Sequence, residues 1–260
     1  MSLIRPIFLI AGNTMTGILR GVVLNVLLVL AGLLIIAATA SGTFEATEMR
    51  RMLVDSGLAI ITVLGAMIAI LTGFTLIPRE METRTIYPIM SKPIYRWQFV
   101  LGKFFGASGV NAITVGLLSI LFFLVYYFKK HEFDLRLLAA VLMIMAMLTV
   151  LSALIIFLST FMSWIGTIIV SAVIWFLGNY SQFLYDLSGF QSQNPVSEKM
   201  IAVIHQILPN FQAMDMRFVI VQQEIGFGEP QVFLIPLGYA VIFMAIVLVL
   251  ATLIFNYREL

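Results

Sequence analysis

Six apolar runs without a single charged residue punctuate the chain, at about 22–40, 57–77, 104–128, 137–158, 165–185 and 232–255. The shortest holds 19 residues, and a helix needs about 20 to cross the roughly 30 Å hydrocarbon core of a bilayer. Apolar character on every face, rather than along one stripe, marks helices surrounded by lipid or by one another. The pattern predicts an all-α integral membrane protein of six transmembrane helices in a single domain over 1–260. Only Ser159 to Ser163 separates the fourth run from the fifth, so those two helices form an antiparallel hairpin. An even number of spans places both termini on the same side.

The segments between the runs carry the polar pattern. Over residues 2–20, Phe8, Ala11, Met15 and Leu19 share one helical face, and Asn13, Thr16 and Arg20 another, with Pro6 near the start. That spacing predicts a helix lying in the membrane interface, against the plainer reading of a loosely ordered lead-in weakened by Gly12 and Gly17. Ala38-Thr39-Ala40 before Ser41 is similar to a signal-peptidase site, but the basic region ahead of the run would be unusually long for a cleaved signal. Glu45, Glu48, Arg50, Arg51 and Asp55 predict a short polar loop before the second span.

Composition agrees with the class that the pattern sets. Hydrophobic residues make up 61% of the chain and charged residues 11%, with a mean hydropathy of +1.06, too little polar surface for a water-soluble globule. The absence of cysteine removes disulfides, thiolate metal sites and a cysteine nucleophile. A net charge of +2 gives no reason to expect nucleic acid as a partner.

Charge is densest between the second and third spans, in 78–103, which holds Arg79, Glu80, Glu82, Arg84, Lys92, Arg96 and Lys103. Glu80 and Arg84 stand four apart with the acid first, the favourable order on a helix, and Glu82 lies in the same first turns. A short helix is therefore expected over about 79–90, with Pro88 distorting its last turn. Ser91-Lys92-Pro93 breaks it, because the residue before a proline avoids helical backbone. Tyr95, Arg96 and Trp97, with Lys103, read as an anchor at the membrane surface. A charged segment between apolar spans implies a surface that meets something in water.

The other long polar section, 186–231, contains a second amphipathic pattern. Asn194-Pro195 is a helix start, and Met200, Val203, Ile204, Ile207 and Leu208 recur at helical spacing before Pro209. This predicts a helix on the outer membrane surface or across the mouth of the bundle; His205 within it reads as an ordinary polar contact rather than a ligand. With 186–231 discounted as a long loop, basic residues number eight on the side of the termini and the central stretch and five on the other. That excess puts the termini and 78–103 in the cytoplasm.

Several chemistries find no support. None of the six runs contains Asp, Glu, Lys, Arg or His, groups that ion-coupled carriers generally need inside the membrane. Leu101-Gly102-Lys103-Phe104 lacks the upstream glycine and the Ser or Thr of a phosphate-binding loop, and there is neither a G-x-S-x-G elbow nor an H-E-x-x-H pair. His131-Glu132 near Asp134 reads as a solvated turn, and Met143, Met145 and Met147 as lipid-facing or gap-filling side chains rather than soft-metal ligands.

Arg79-Glu80, Arg84-Thr85, the run Ile89-Met90-Ser91-Lys92-Pro93-Ile94-Tyr95-Arg96-Trp97, and Leu101-Gly102-Lys103 through Gly106 together resemble the segment after the second span in permeases of the type-2 ATP-binding-cassette transporter family. The turn Leu158-Ser159-Thr160-Phe161 and the segment Leu208-Pro209-Asn210-Phe211 with Asp215 add to the likeness. The resemblance implies a permease subunit in a prokaryotic cytoplasmic membrane, an exporter that binds no cofactor itself. ATP and magnesium would belong to a separate ATPase subunit, and a second permease, identical or closely related, would complete the pathway. It further implies that Arg79, Glu80, Glu82, Arg84, Thr85, Ser91 and Lys92 form a coupling helix seated in a groove of that ATPase. Asn25, Thr72, Thr75, Asn179 and Gln182 are the candidates for lining a path, each weighed against the plainer reading of an interhelical hydrogen bond. Uncharged spans suit lipid-like, hydrophobic or peptide cargo better than small ions. A non-transporting membrane scaffold is the rival, and a membrane enzyme stands third for want of a catalytic constellation.

Overall fold

A computed structural model describes residues 4–40, 46–73, 76, 95–130, 135–191, 208–216 and 231–257. The described residues form α1 (Arg5–Leu19), α2 (Val22–Ala40), α3 (Ala46–Gly73), α4 (Arg96–Lys130), α5 (Leu135–Ser159), α6 (Trp164–Gln191) and α7 (Gln231–Tyr257), with a single 3-10 turn at Gln212–Met214. Each of the six apolar runs coincides with one of these helices. Four stretches are long and apolar enough to cross a membrane: Arg51–Gly73, Arg96–Lys129, Arg136–Ser159 and Phe233–Tyr257. The pair α1 and α2, bent by 63°, makes up to five among the described residues, to which α6 adds the apolar stretch Trp164–Tyr180.

The bend between α1 and α2 follows from Gly21. Its N–H donates to Ile18 O at 2.9 Å, a tight closing turn, and a Cβ there would stand 2.9 Å from that same carbonyl oxygen. A side chain there would force that carbonyl to shift, so glycine favours the close exit.

Two boundaries depart from the sequence expectation. The predicted polar loop before the second span is helical from Ala46 onward, so Glu48, Arg50, Arg51 and Asp55 sit in the first turns of α3. No proline or glycine interrupts 46–56, and Leu53 and Val54 are already buried, which favours continuing the helix. At the other end of the bundle α4 begins at Arg96 and runs for 35 residues. At 1.5 Å per residue that is about 50 Å, longer than the bilayer core, so Arg96 and Lys103 belong to the helix rather than to the segment before it.

The turn between α5 and α6 is as short as predicted. Met162 N–H donates to Leu158 O at 2.9 Å, Ser159 Oγ donates to Ile156 O and Thr160 Oγ1 to Phe157 O, both at 2.7 Å. The turn therefore satisfies part of the carbonyl end of α5 with its own side chains.

Glycines set the helix order. On α3, Gly57 lies against Phe122, Gly65 against Leu148 and Gly73 against Ile155, so α3 runs antiparallel to α4 and parallel to α5. In lipid, apolar burial gives little preference for helix over tail, and close approach at small residues supplies the packing energy instead. Two buried clusters result. One joins α3, the second half of α4, α5 and the 208–216 segment, with Phe122, Leu148, Phe211 and Met214 at its centre. The other gathers α1, α2, the first half of α4 and the ends of α5 and α7 around Phe99, Phe104, Ile156 and Phe255.

The first helix is present, but its buried stripe is Ile7, Thr14 and Ile18, while Phe8 is 72% exposed. The inward face is turned by roughly a quarter of a revolution from the one expected, at 100° per residue, because it is set by docking onto α4 rather than by lipid. Met143 and Met147 are gap-filling core residues, with Met145 packed beside them. The helix expected over 195–208 lies outside the described residues save Leu208, as do His131, Glu132 and Asp134.

Candidate functional site

The first turns of α4, which follow directly on the charged stretch, hold the densest set of polar and aromatic contacts at one end of the bundle. Gln98 secures the start of the helix. Its Oε1 accepts the Tyr95 N–H at 3.0 Å, which is one half of a capping box, and its side chain is buried.

Arg96, Phe99 and Lys103 are spaced to share one side of α4. Arg96 Nη1 donates to Phe255 O at 2.7 Å and to Asn256 O at 2.9 Å. The last carbonyls of α7 have no partner within their own helix, and a cation at a helix C-terminus meets the negative end of the macrodipole, an effect of about 1–2 kcal/mol when partly buried. Phe99 and Phe255 are fully buried and stacked, with centroids 5.7 Å apart and planes 14° from parallel. Arg96 Cζ stands 5.9 Å from the Phe255 ring and Lys103 Nζ 5.4 Å from the Phe99 ring. The four side chains thus form a stack with a cation at each end and two rings between.

On a neighbouring side of α4, glycines receive α1. A Cβ at Gly102 would lie 2.7 Å from Ile10 Cβ and 3.2 Å from Ile7 O, and one at Gly106 would lie 2.7 Å from Thr14 Cβ and 2.9 Å from Ala11 O. Backbone atoms cannot yield as a side-chain tip can, so this small-x-x-x-small seam needs glycine. Both ends of the described chain, α1 and the last turn of α7, are therefore held on the first half of α4.

Deeper in the bundle, Asn111 Nδ2 donates to Leu148 O at 3.1 Å and to Ser152 Oγ at 2.8 Å, joining α4 to α5. Among the described residues, Thr14 Oγ1, Ser108 Oγ, Thr114 Oγ1 and Trp175 Nε1 are buried without a hydrogen-bond partner, and no three acidic, histidine or cysteine side chains group closely enough for a metal ion.

The sequence-predicted residues fare unequally. Arg79, Glu80, Glu82, Arg84, Thr85, Ser91 and Lys92 lie outside the described residues. On either side of their stretch, Leu76 and the first turns of α4 are described, and both enter one buried cluster, with Leu76, Phe99 and Val100 among its members. Tyr95 and Trp97 are exposed, as an interfacial anchor requires, but Lys103 is only 4% exposed. Lys103 is thus a packed member of α4, drawn in by the Phe99 ring, and the expectation of charge-free spans holds only for the shorter bounds drawn from sequence.

Asn25 is exposed on α2. Thr72 Oγ1 donates to Ile68 O at 2.6 Å and Asn179 Nδ2 to Trp175 O at 2.9 Å, so both turn back onto their own helices and neither needs a substrate or a neighbouring helix to satisfy that donor. Thr75 and the Gln182 side chain lie outside the described residues. Sequence reasoning missed Asn111, Phe99 and Phe255. The Gly102-x-x-x-Gly106 spacing is a signal from which a close helix contact at this end of α4 could have been read.

Comparison with known proteins adds one finding. A family model described as ABC-2 family transporter protein matches residues 12–260, nearly the whole chain. No curated protein matches it.

Proposed function

The chain belongs to the ABC-2 family of transporter proteins, and from that premise we propose that it is the permease subunit of an ATP-driven exporter, with ATP and magnesium bound and hydrolysed in a separate ATPase subunit. Family and apolar helices together make it a multi-pass membrane protein. Six spans, with α1 and α2 contributing the first, both termini and the 78–95 stretch in the cytoplasm of a prokaryote, and a second permease subunit across a two-fold axis complete the reading.

The observation that carries it is that Leu76, Phe99 and Val100 all belong to one buried cluster. A segment rich in charge leaves and re-enters the bundle at one place, so a force applied to it acts on the ends of α3 and α4 together. Transport is then a coupling free energy between the nucleotide site of the partner and the path through the permeases.

The test is copurification with the ATPase subunit in mild detergent. Glu80→Lys and Arg84→Glu reverse the charges expected to face it. Each should weaken capture about tenfold or more, equivalent to about 1.4 kcal/mol, while the permease remains folded. Full capture and unaltered ATP turnover by both variants would leave a membrane scaffold as the better reading.

A further inference from the structure

The tie between Arg96 and the end of α7 is more than a cap placed on a helix terminus. Arg96 is the first residue of α4, directly after 78–95, and its Nη1 donates to the carbonyls of two successive residues, Phe255 and Asn256. The stacked rings of Phe99 and Phe255 sit directly behind it. The two hydrogens of Nη1 are fixed in the guanidinium plane and reach the two carbonyls in set directions, where the donors of an ammonium rotate freely. Two hydrogen bonds and a ring stack fix both the distance and the rotation of α7 relative to α4.

We infer that Arg96 is a positioning residue that locks the end of α7 to the start of α4, so that a displacement delivered to α4 through 78–95 is carried into α7 as the motion of one body. This rests on the proposed permease function and extends it to a helix that the charged stretch does not adjoin in sequence. The first half of α4 holds both the residues that follow the stretch and the last turn of α7. Without the Arg96 bonds, apolar packing and the ring stack would still join them, but such contacts are less directional than two charge-assisted hydrogen bonds.

The experiment uses the absence of native cysteine. Tyr95→Cys and Tyr257→Cys place spin labels at exposed positions on either side of the tie, 62% and 88% exposed respectively. The distance between them is measured in the permease assembled with its ATPase subunit, without nucleotide and with ATP trapped. With Arg96 present the distance is expected to stay constant. With Arg96→Gln it should change on ATP binding by on the order of 2 Å, the scale of helix shifts at packed interfaces, and Arg96→Lys should restore part of the constancy. A merely structural cap would alter the spread of distances without making them depend on nucleotide.

A nucleotide-dependent distance with Arg96 intact, or a constant one in Arg96→Gln, overturns the inference while leaving the permease reading in place. Failure of the ATPase subunit to bind at all overturns the permease reading, and the role of Arg96 in coupling with it.

Discussion

Phe211 occupies the space that a side chain on Gly178 would need: a Cβ at Gly178 would lie 2.6 Å from Phe211 Cδ2 and 2.7 Å from the carbonyl oxygen of Pro209. The ring is fully buried, and the segment that carries it is tied to α7 by one hydrogen bond and braced by another within itself. Asn210 N–H donates to Tyr239 Oη at 3.2 Å, and Asn210 Oδ1 accepts the Ala213 N–H at 3.1 Å. Residues 208–216 thus close the end of the bundle opposite the α4 stem by seating an aromatic ring on α6.

Gly178→Val should therefore destabilise the protein by about 1–3 kcal/mol, the usual cost of overpacking. Gly238, on α7, has nothing within 4 Å of a Cβ position, and Gly238→Ala should instead stabilise by up to about 1 kcal/mol through helix propensity. Thermal unfolding midpoints in detergent compare the two. Equal tolerance at both sites would mean that Phe211 is not seated on Gly178.

The seam that holds α1 makes a second prediction. Gly102→Val drives a side chain against Ile10 and the Ile7 carbonyl, whereas Gly12, on the open side of α1, has nothing within 4 Å. Thr14 is 8% exposed, so a Thr14→Cys thiol reports on docking. Its labelling rate should rise about tenfold in the Gly102→Val background, as expected for a local opening made about 1.4 kcal/mol easier, and should stay unchanged with Gly12→Ala. A rate that ignores Gly102→Val would place α1 elsewhere.

Asn111 is expected to behave as a modest interhelical link. Hydrogen bonds between helices in lipid contribute about 0.6 kcal/mol on average and up to about 1.7, so Asn111→Leu should cost about 1 kcal/mol in graded denaturation by detergent. Ser152→Ala removes one of the two acceptors, and the double variant should cost less than the sum of the singles. Strict additivity would show that the two residues do not interact.

How much of this was readable beforehand depends on the scale of the interaction. The helices α2 and α5 to α7 follow from runs of apolar residues long enough to cross a bilayer, a property of composition that no local detail overturns. The helical start of α3 was misread because charge was taken as a loop signal. In fact Glu48, Arg50, Arg51 and Asp55 accompany Leu53 and Val54, which bury, and nothing between them breaks a helix. Lys103 was misplaced for the same reason: its charge suggested the surface, and only the structure brings the Phe99 ring beneath it. The link from Arg96 to Phe255 spans 159 positions, and no periodicity reports a contact of that range. The family likeness, by contrast, was legible in the charged stretch itself.

Sidedness ties the topology to the proposed function. With 78–95 in the cytoplasm, three spans separate it from 186–231, which must then emerge on the far face. Thr83→Cys and Gln193→Cys, each alone in the cysteine-free chain, should be respectively protected from and open to a membrane-impermeant thiol reagent in intact cells. The reverse pattern would invert the bundle and remove the charged stretch from any cytoplasmic ATPase.

The position of α4 as the common seat of α1 and α7 also imposes an order on biogenesis. A chain made from its N-terminus delivers α1 long before Gly102 and Gly106 exist to receive it, so α1 can take its seat only once the third apolar run has been made. Closure comes last, when Phe255 reaches the Phe99 ring and the Arg96 guanidinium takes the final carbonyls of α7.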